Sequence, residues 1–254
     1  MMKKRRKWTP LALLAVAGVL LLASTVGSTQ AALTYYSENY SAEVTVSNIG
    51  VSLLENGEEV SYRNYLKDDK WDEKAGILFA NLTADGPLTL GKVYQEKLAV
   101  KNSGAIDAYV RVVLKKSWQN DEDGDGVYEK NNTLSPELIK LHLLTGENGW
   151  VEDANASTKE RTVLYYTKPV ASEAVTPDLS DTLQIDPVVG MKVVKTETKD
   201  ANGTTVVYTY VYDGYKFVVE AEVDAVQTHN AKDAIKSAWG VDVTVEADGS
   251  LSLR

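Results

Sequence analysis

Thr204-Thr205-Val206-Val207-Tyr208-Thr209-Tyr210-Val211-Tyr212-Asp213-Gly214-Tyr215-Lys216-Phe217-Val218-Val219-Glu220-Ala221-Glu222-Val223-Asp224-Ala225 is the stretch whose reading decides the fold. Asp213-Gly214 stands between two tyrosines and has the composition of a two-residue hairpin turn, where positive φ is required. Pairing Tyr212 with Tyr215 sets Tyr210 opposite Phe217, Tyr208 opposite Val219 and Val206 opposite Ala221. One face is then apolar throughout, and Lys216, Glu220, Glu222 and Asp224 fall on the other. Upstream, Met191 to Thr198 and the turn Asp200-Ala201-Asn202-Gly203 extend the prediction to a three-strand meander.

The same period of two recurs toward the N-terminus. Val93 to Lys101 puts Tyr94, Leu98 and Val100 on one face, and Asn102-Ser103-Gly104-Ala105 reads as a turn. Ile106, Ala108, Val110, Val112 and Leu114 then alternate with Asp107, Arg111 and Lys115, which predicts a hairpin with one wet face. Glu43 to Ser47 alternates as well, and Val51-Ser52-Leu53 continues it out of phase after Asn48-Ile49-Gly50, as a bulge or bend would. Two helices are expected. Ser135-Pro136-Glu137 has an N-cap, a first-position proline and an acid, good for one or two turns. Ala231, Ala234, Ile235, Ala238 and Trp239 follow helical spacing between Asn230 and a Gly240 stop, so that helix should pack on a sheet. Residues 145–188 are weakly patterned and read as long loops and short strands. The expected fold is a mainly β, jelly-roll-like antiparallel β-sandwich with one or two short helices in its connections.

The N-terminus is an address. Met1 to Lys7 is basic, Leu11 to Ala23 is apolar, and small residues lead to Ala31-Ala32. That order is a secretory signal peptide; thirteen helical residues cover about 20 Å, short of a hydrocarbon core near 30 Å. The predicted organisation is a signal peptide over 1–32 and one domain over 33–254, secreted, with signal peptidase as a partner and no membrane contact after cleavage. The chain has 27 basic and 36 acidic residues, and five of the basic ones lie within the first seven positions. Beyond them 22 oppose 36, a net −14, which repels phosphate backbones and excludes nucleic acid as a partner. With no cysteine there is no disulfide framework, no thiolate nucleophile and no Cys-ligated zinc.

Asp121-Glu122-Asp123-Gly124-Asp125-Gly126-Val127-Tyr128-Glu129 carries the one inorganic-chemistry signal, inside an acidic insertion over 119–133. Carboxylates at Asp121, Asp123 and Asp125 with Gly126 next match positions 1, 3, 5 and 6 of an EF-hand loop. The Val127 carbonyl and Glu129 would complete the donors at positions 7 and 9. Asn132 stands where the bidentate glutamate belongs, so the expectation is a loop between strands that binds Ca2+ weakly, at about 10⁻⁴ to 10⁻³ M. The opposing reading is a solvated acidic hairpin tip.

Three segments carry a family resemblance. They are the signal peptide running into Ala32-Leu33-Thr34-Tyr35-Tyr36-Ser37-Glu38, the stretch Leu98 to Val112, and Val219 to Gln227 followed by the alanine-rich helix to Gly240. Together they resemble the TasA/camelysin-type proteins, exported by Gram-positive bacteria through the SipW signal peptidase. The resemblance implies secreted subunits that build biofilm matrix fibres, each lending an N-terminal strand to the next. The donor here would be residues 33–47, in which Tyr36, Tyr40, Ala42, Val44 and Val46 alternate suitably. An unpaired sheet edge accepts such a strand through main-chain bonds, and head-to-tail lending gives a filament of copies of this chain. Other matrix proteins or a polysaccharide would be further partners, in the extracellular matrix or at the cell surface. The alternative is a monomeric, calcium-stabilised surface adhesin or ligand-binding sandwich that keeps this strand.

An enzyme is not expected. Camelysin is classed as a metallopeptidase, yet there is no His-Glu-x-x-His, and His142 and His229 stand far apart. No Gly-x-Ser-x-Gly elbow accompanies the many serines.

Overall fold

A computed structural model of the chain describes residues 48–253 except 67–69, 83, 85, 147, 201 and 202. The expected signal peptide and all five residues of the expected donor strand, Tyr36, Tyr40, Ala42, Val44 and Val46, lie outside the described residues. Val46 to Arg254 groups as one compact unit.

The fold is mainly β, with antiparallel sheets stacked as a sandwich. In the first sheet β1 (Gly50–Glu55) pairs with β2 (Glu58–Tyr65), β2 with β3 (Trp71–Lys74), and β1 also with β5 (Leu98–Lys101). Asn56 and Gly57 both have positive φ, which is what a two-residue turn between β1 and β2 demands. A register shift between Leu53 and Leu54 bulges β1, a few residues beyond the bend expected around Asn48-Gly50.

The second sheet has the order β14 (Lys216–Gln227), β6 (Ala108–Asn120), β10 (Arg161–Tyr166), β9 (Trp150–Glu152), and β7 (Glu129–Asn131) adds to β6. A third joins β4 (Val93–Gln95), β11 (Ser180–Ile185) and β8 (Ile139–Leu143). Val51, Leu98 and Val100 of the first sheet meet Val110, Val112, Leu114 and Leu164 of the second in one buried cluster around Trp150. Burying a side chain of this size contributes about 1.5–3 kcal/mol, so this interface dominates the stability.

Three expectations are corrected. The hairpin over 93–115 does not form, because β5 belongs to the first sheet and β6 to the second. Asn102 makes the crossing. It is fully buried, its Nδ2 donates to the carbonyls of Ile106 at 2.7 Å and Val170 at 2.8 Å, and its Oδ1 accepts from Gly104 N–H. Nor is the second face of β6 wet throughout, although Lys115 is exposed on it as expected. Tyr109 and Val113 are buried beneath the one α-helix of the described residues, α1 (Ala231–Trp239), and its neighbours Val241 and Leu253. That helix ends as expected at Gly240, with φ +73°.

The third correction concerns the decisive stretch. Gly203–Tyr210 forms β13, but it pairs with β12 (Val193–Asp200), and Lys216–Gln227 pairs with β6 over twelve residues. The β6 pairing takes one edge of β14, and β13 does not pair with the other. The β12–β13 half of the expected meander stands as a separate two-stranded arm. Ser135 caps a single 3₁₀ turn at Pro136–Leu138, accepting from Glu137 N–H. Within 145–188, β10 runs through the middle of the second sheet with Val163, Leu164 and Tyr165 all buried.

Candidate functional site

The pairing phase of β14 determines where its backbone points. Thr228 N–H donates to Asp107 O in the register that continues along β14 and β6, so even-numbered β14 residues exchange their hydrogen bonds with β6. The N–H and C=O groups of Phe217, Val219, Ala221, Val223 and Ala225 therefore point away from β6. Among the described residues no strand pairs with that edge.

The side chains of these odd residues face the first sheet and line a continuous groove. Its widest compartment, 520 Å³, lies between Phe217, Val219 and Ala221 on one side and Leu53, Leu78 and Phe79 on the other. A 130 Å³ compartment follows at Ala221 and Val223, against Val51 and Leu53. A third of 160 Å³ is bounded by Val223, Ala225, Trp71, Trp239 and Ile49, the second of the described residues. The groove is thus apolar along its β14 wall, faces Ser61, Tyr62 and Arg63 on the other side, is long enough for an extended segment of about nine residues, and is bordered by unpaired main-chain groups.

One perturbed acid sits behind its wide end. Glu96 is 4% exposed, accepts from Asn56 Nδ2 at 3.0 Å and has its pKa raised to about 7, first by burial and further by the neighbouring Glu55 carboxylate. Glu55 in turn accepts from Phe79 N–H at 2.7 Å, at a residue with φ +61°. The two carboxylates thereby tie the turn after β1 to a wall of the groove.

The acidic loop is the tip of the β6–β7 hairpin, closed by Asn120 opposite Glu129. Asp121, Asp123 and Asp125 place carboxylate oxygens within 4.8 Å of one another. Gly126 N–H donates to Asp121 Oδ2 at 3.0 Å and Val127 N–H to Asp125 Oδ1 at 2.7 Å. Gly124 and Gly126, at φ +75° and +88°, permit the coil. Val127 and Glu129 line a 210 Å³ cleft with Asp123 and Asp125, and Glu122, absent from the expected donors, lines it too. Asp121 Oδ1 is buried without a hydrogen-bond partner. Three clustered carboxylates and an orphaned oxygen fit a hard divalent cation.

His142 lies on the surface with Nδ1 2.8 Å from Asp181 Oδ1, which holds the Asp181 carboxyl below its ordinary range. Among the described residues the aspartate trio is the one cluster of three or more acidic or histidine side chains able to hold a metal.

Comparison of the chain with protein-family models, with characterised proteins and with solved structures gives no match. The functional reading rests on the groove, the loop and the sequence motifs. Sequence reasoning missed the open edge because it assigned β13 as the partner of β14. The available signal was the apolar alternation of Val219 to Ala225, which predicts the face packed on the first sheet but not which edge of the strand is paired.

Proposed function

We propose that the protein is a secreted structural subunit of extracellular fibres, in which the edge of β14 accepts residues 33–47 of a neighbouring copy. The observation that carries this reading is the outward-pointing row of main-chain groups on Phe217 to Ala225 above an apolar groove. A segment with alternate apolar residues adds to such an edge by main-chain hydrogen bonds and fills the compartments with every second side chain. Tyr36, Tyr40, Ala42, Val44 and Val46 have that alternation. The resemblance to TasA/camelysin-type proteins, with their SipW-dependent export and jelly-roll sandwiches, supports the same reading.

The loop over 121–129 is assigned a structural Ca2+, held by Asp121, Asp123, Asp125, Glu129 and the Val127 carbonyl. The ion would cancel the mutual repulsion of the carboxylates and brace the β6–β7 tip. This loop also favours the second reading, a monomeric calcium-stabilised adhesin in which residues 33–47 stay with their own subunit and polysaccharide or matrix proteins are the partners. No catalytic role is assigned.

Negative-stain microscopy and size-exclusion chromatography of chains starting at Leu33 and at Asn48, each with and without Ca2+, separate the two. Filaments from the longer chain alone support the fibre subunit. Monomer from the longer chain in every condition sinks it and leaves the adhesin.

A further inference from the structure

The β12–β13 arm exposes more apolar surface than a two-stranded ribbon can keep stably in water. Val206 is 41% exposed, Tyr208 60% and Tyr210 59%, all on one face of β13. The geometry points to a second position for this arm: β13 closes onto the open edge of β14 and occupies the acceptor groove from within the same chain. The inference rests on the reading of that edge as an acceptor.

Connectivity supplies the first support. Only Val211 to Tyr215 separate the two strands, and Tyr215 N–H already donates to Tyr212 O at 3.3 Å. Gly214 has φ +80°. Asp213 has negative φ here and needs the left-handed region for a tight hairpin turn, which aspartate tolerates better than most residues.

Register supplies the second. With Tyr212 and Tyr215 as the closing hydrogen-bonded pair, the further hydrogen-bonded pairs are Tyr210–Phe217, Tyr208–Val219 and Val206–Ala221. Phe217, Val219 and Ala221 are the residues whose main-chain groups point outward from β14. A register shifted by one residue would call on even positions already committed to β6. In this register Tyr210, Tyr208 and Val206 share a face with Phe217, Val219 and Ala221, toward the groove. Closing therefore buries the three exposed side chains and satisfies the edge together. It gives up the 3.3 Å bond from Asp213 N–H to Tyr210 O, whose carbonyl the Phe217 pair requires, while the β12–β13 ladder, continued by Val211 N–H to Lys192 O, travels with the arm.

An arm in the groove excludes an incoming strand, so assembly begins with release of β13. The absence of native cysteine makes a disulfide test clean. Val207 and Glu220 are opposite each other at a non-hydrogen-bonded position of the closed arm, where Cβ atoms are near enough for a disulfide. In the secreted chain from Leu33, Val207→Cys with Glu220→Cys should form a monomer-sized disulfide under mild oxidation. The off-register pair Thr205→Cys with Glu220→Cys should form about tenfold less, and the oxidised in-register protein about tenfold fewer filaments, restored by reduction. A folded monomer that forms no in-register disulfide overturns the closure. A disulfide that forms and leaves polymerisation unchanged leaves the closure standing and overturns the acceptor reading.

Hydrogen exchange on the unsubstituted monomer gives a second measurement should the cysteine variants misfold. The N–H groups of Phe217, Val219 and Ala221 should be protected, and Tyr208→Asp should speed their exchange about tenfold. Protection that Tyr208→Asp does not touch, or no protection at all, counts against the closed arm.

Discussion

The outer edges of the two main sheets are built on opposite rules. The first sheet ends at β3, four exposed residues reading Trp-Asp-Glu-Lys, with Glu73 paired to Arg63 at 3.3 Å and the Arg63 guanidinium 4.5 Å over the Trp71 ring. The second ends at β14, twelve residues long, with Val219, Ala221, Val223 and Ala225 on its groove face. A short, charged edge is how sheets avoid recruiting foreign strands; a long apolar one invites them. On the function proposed above, this contrast is the one a strand-accepting β14 edge requires.

Proline placed on each edge should break or confirm that contrast most strongly. Ala221→Pro removes an outward N–H without costing a β6 hydrogen bond, and should abolish filaments of the chain from Leu33 while the monomer stays folded. Glu73→Pro on β3 should leave filament yield unchanged. Microscopy of the two variants side by side decides; equal loss in both would mean that the edges are not functionally different.

The second-largest effect lies behind the groove wall. Because the folded pKa of Glu96 is about 7 against 4.5 unfolded, the native state binds the extra proton between those values. Stability therefore falls as pH rises through that window, by about 3 kcal/mol in all, and the penalty is complete above pH 7. Glu96→Gln carries no such penalty. Thermal melts of both proteins from pH 4.5 to 8 should converge at the acid end and diverge in favour of the variant at the alkaline end. Parallel curves would show that Glu96 ionises in the folded protein as it does in the unfolded chain.

Calcium should act at the end of β6 where Gln119 pairs with Lys216 of β14, whose Nζ lies 3.1 Å from the Tyr128 ring centroid in the loop. At about 10 mM Ca2+ a site of 10⁻⁴ to 10⁻³ M affinity adds about 1–3 kcal/mol. Calorimetric titration and melting of the wild type should show this, and Asp123→Ala should lose it. Identical behaviour of the two proteins would leave the loop as a solvated acidic tip.

The signals that could be read from the chain were those acting within a turn or two. Asp121, Asp123 and Asp125 converge because their spacing and Gly126 coil the backbone locally, and α1 ends at Gly240 because a left-handed residue stops a helix. Asn56-Gly57 was of the same kind and went unread, since the residues around it, Glu55 and Glu58, interrupt the apolar alternation. What stayed hidden depends on distant partners. Asn102 has the composition of a turn, yet its amide finds Val170, sixty-eight residues away, and sends the chain to another sheet. β10 is buried on both faces, so Val163-Leu164-Tyr165 shows no alternation at all. Asp213-Gly214 carries a local turn preference of which only Gly214 takes the positive φ, at +80°, and β13 finds its partner in β12 on its other edge.

The smallest expected effect tests the blunted edge itself. Arg63 and Glu73 have side chains 59% and 63% exposed, so water screens their attraction and the pair stabilises the fold by less than about 1 kcal/mol. The cation–π contact with Trp71 adds about 0.5–1 kcal/mol at such an exposed site. Arg63→Ala should therefore lower the melting temperature by only a few degrees. Its more informative consequence is on association: the variant removes the guanidinium from Trp71 at the edge of the first sheet, beside the third compartment of the groove, which Arg63 also lines. If charge is what keeps β3 from recruiting strands, Arg63→Ala should increase non-fibrillar aggregation of the chain from Asn48, measured by light scattering. Unchanged scattering would assign the protection to the shortness of β3, since four residues offer too few main-chain bonds to hold a foreign strand.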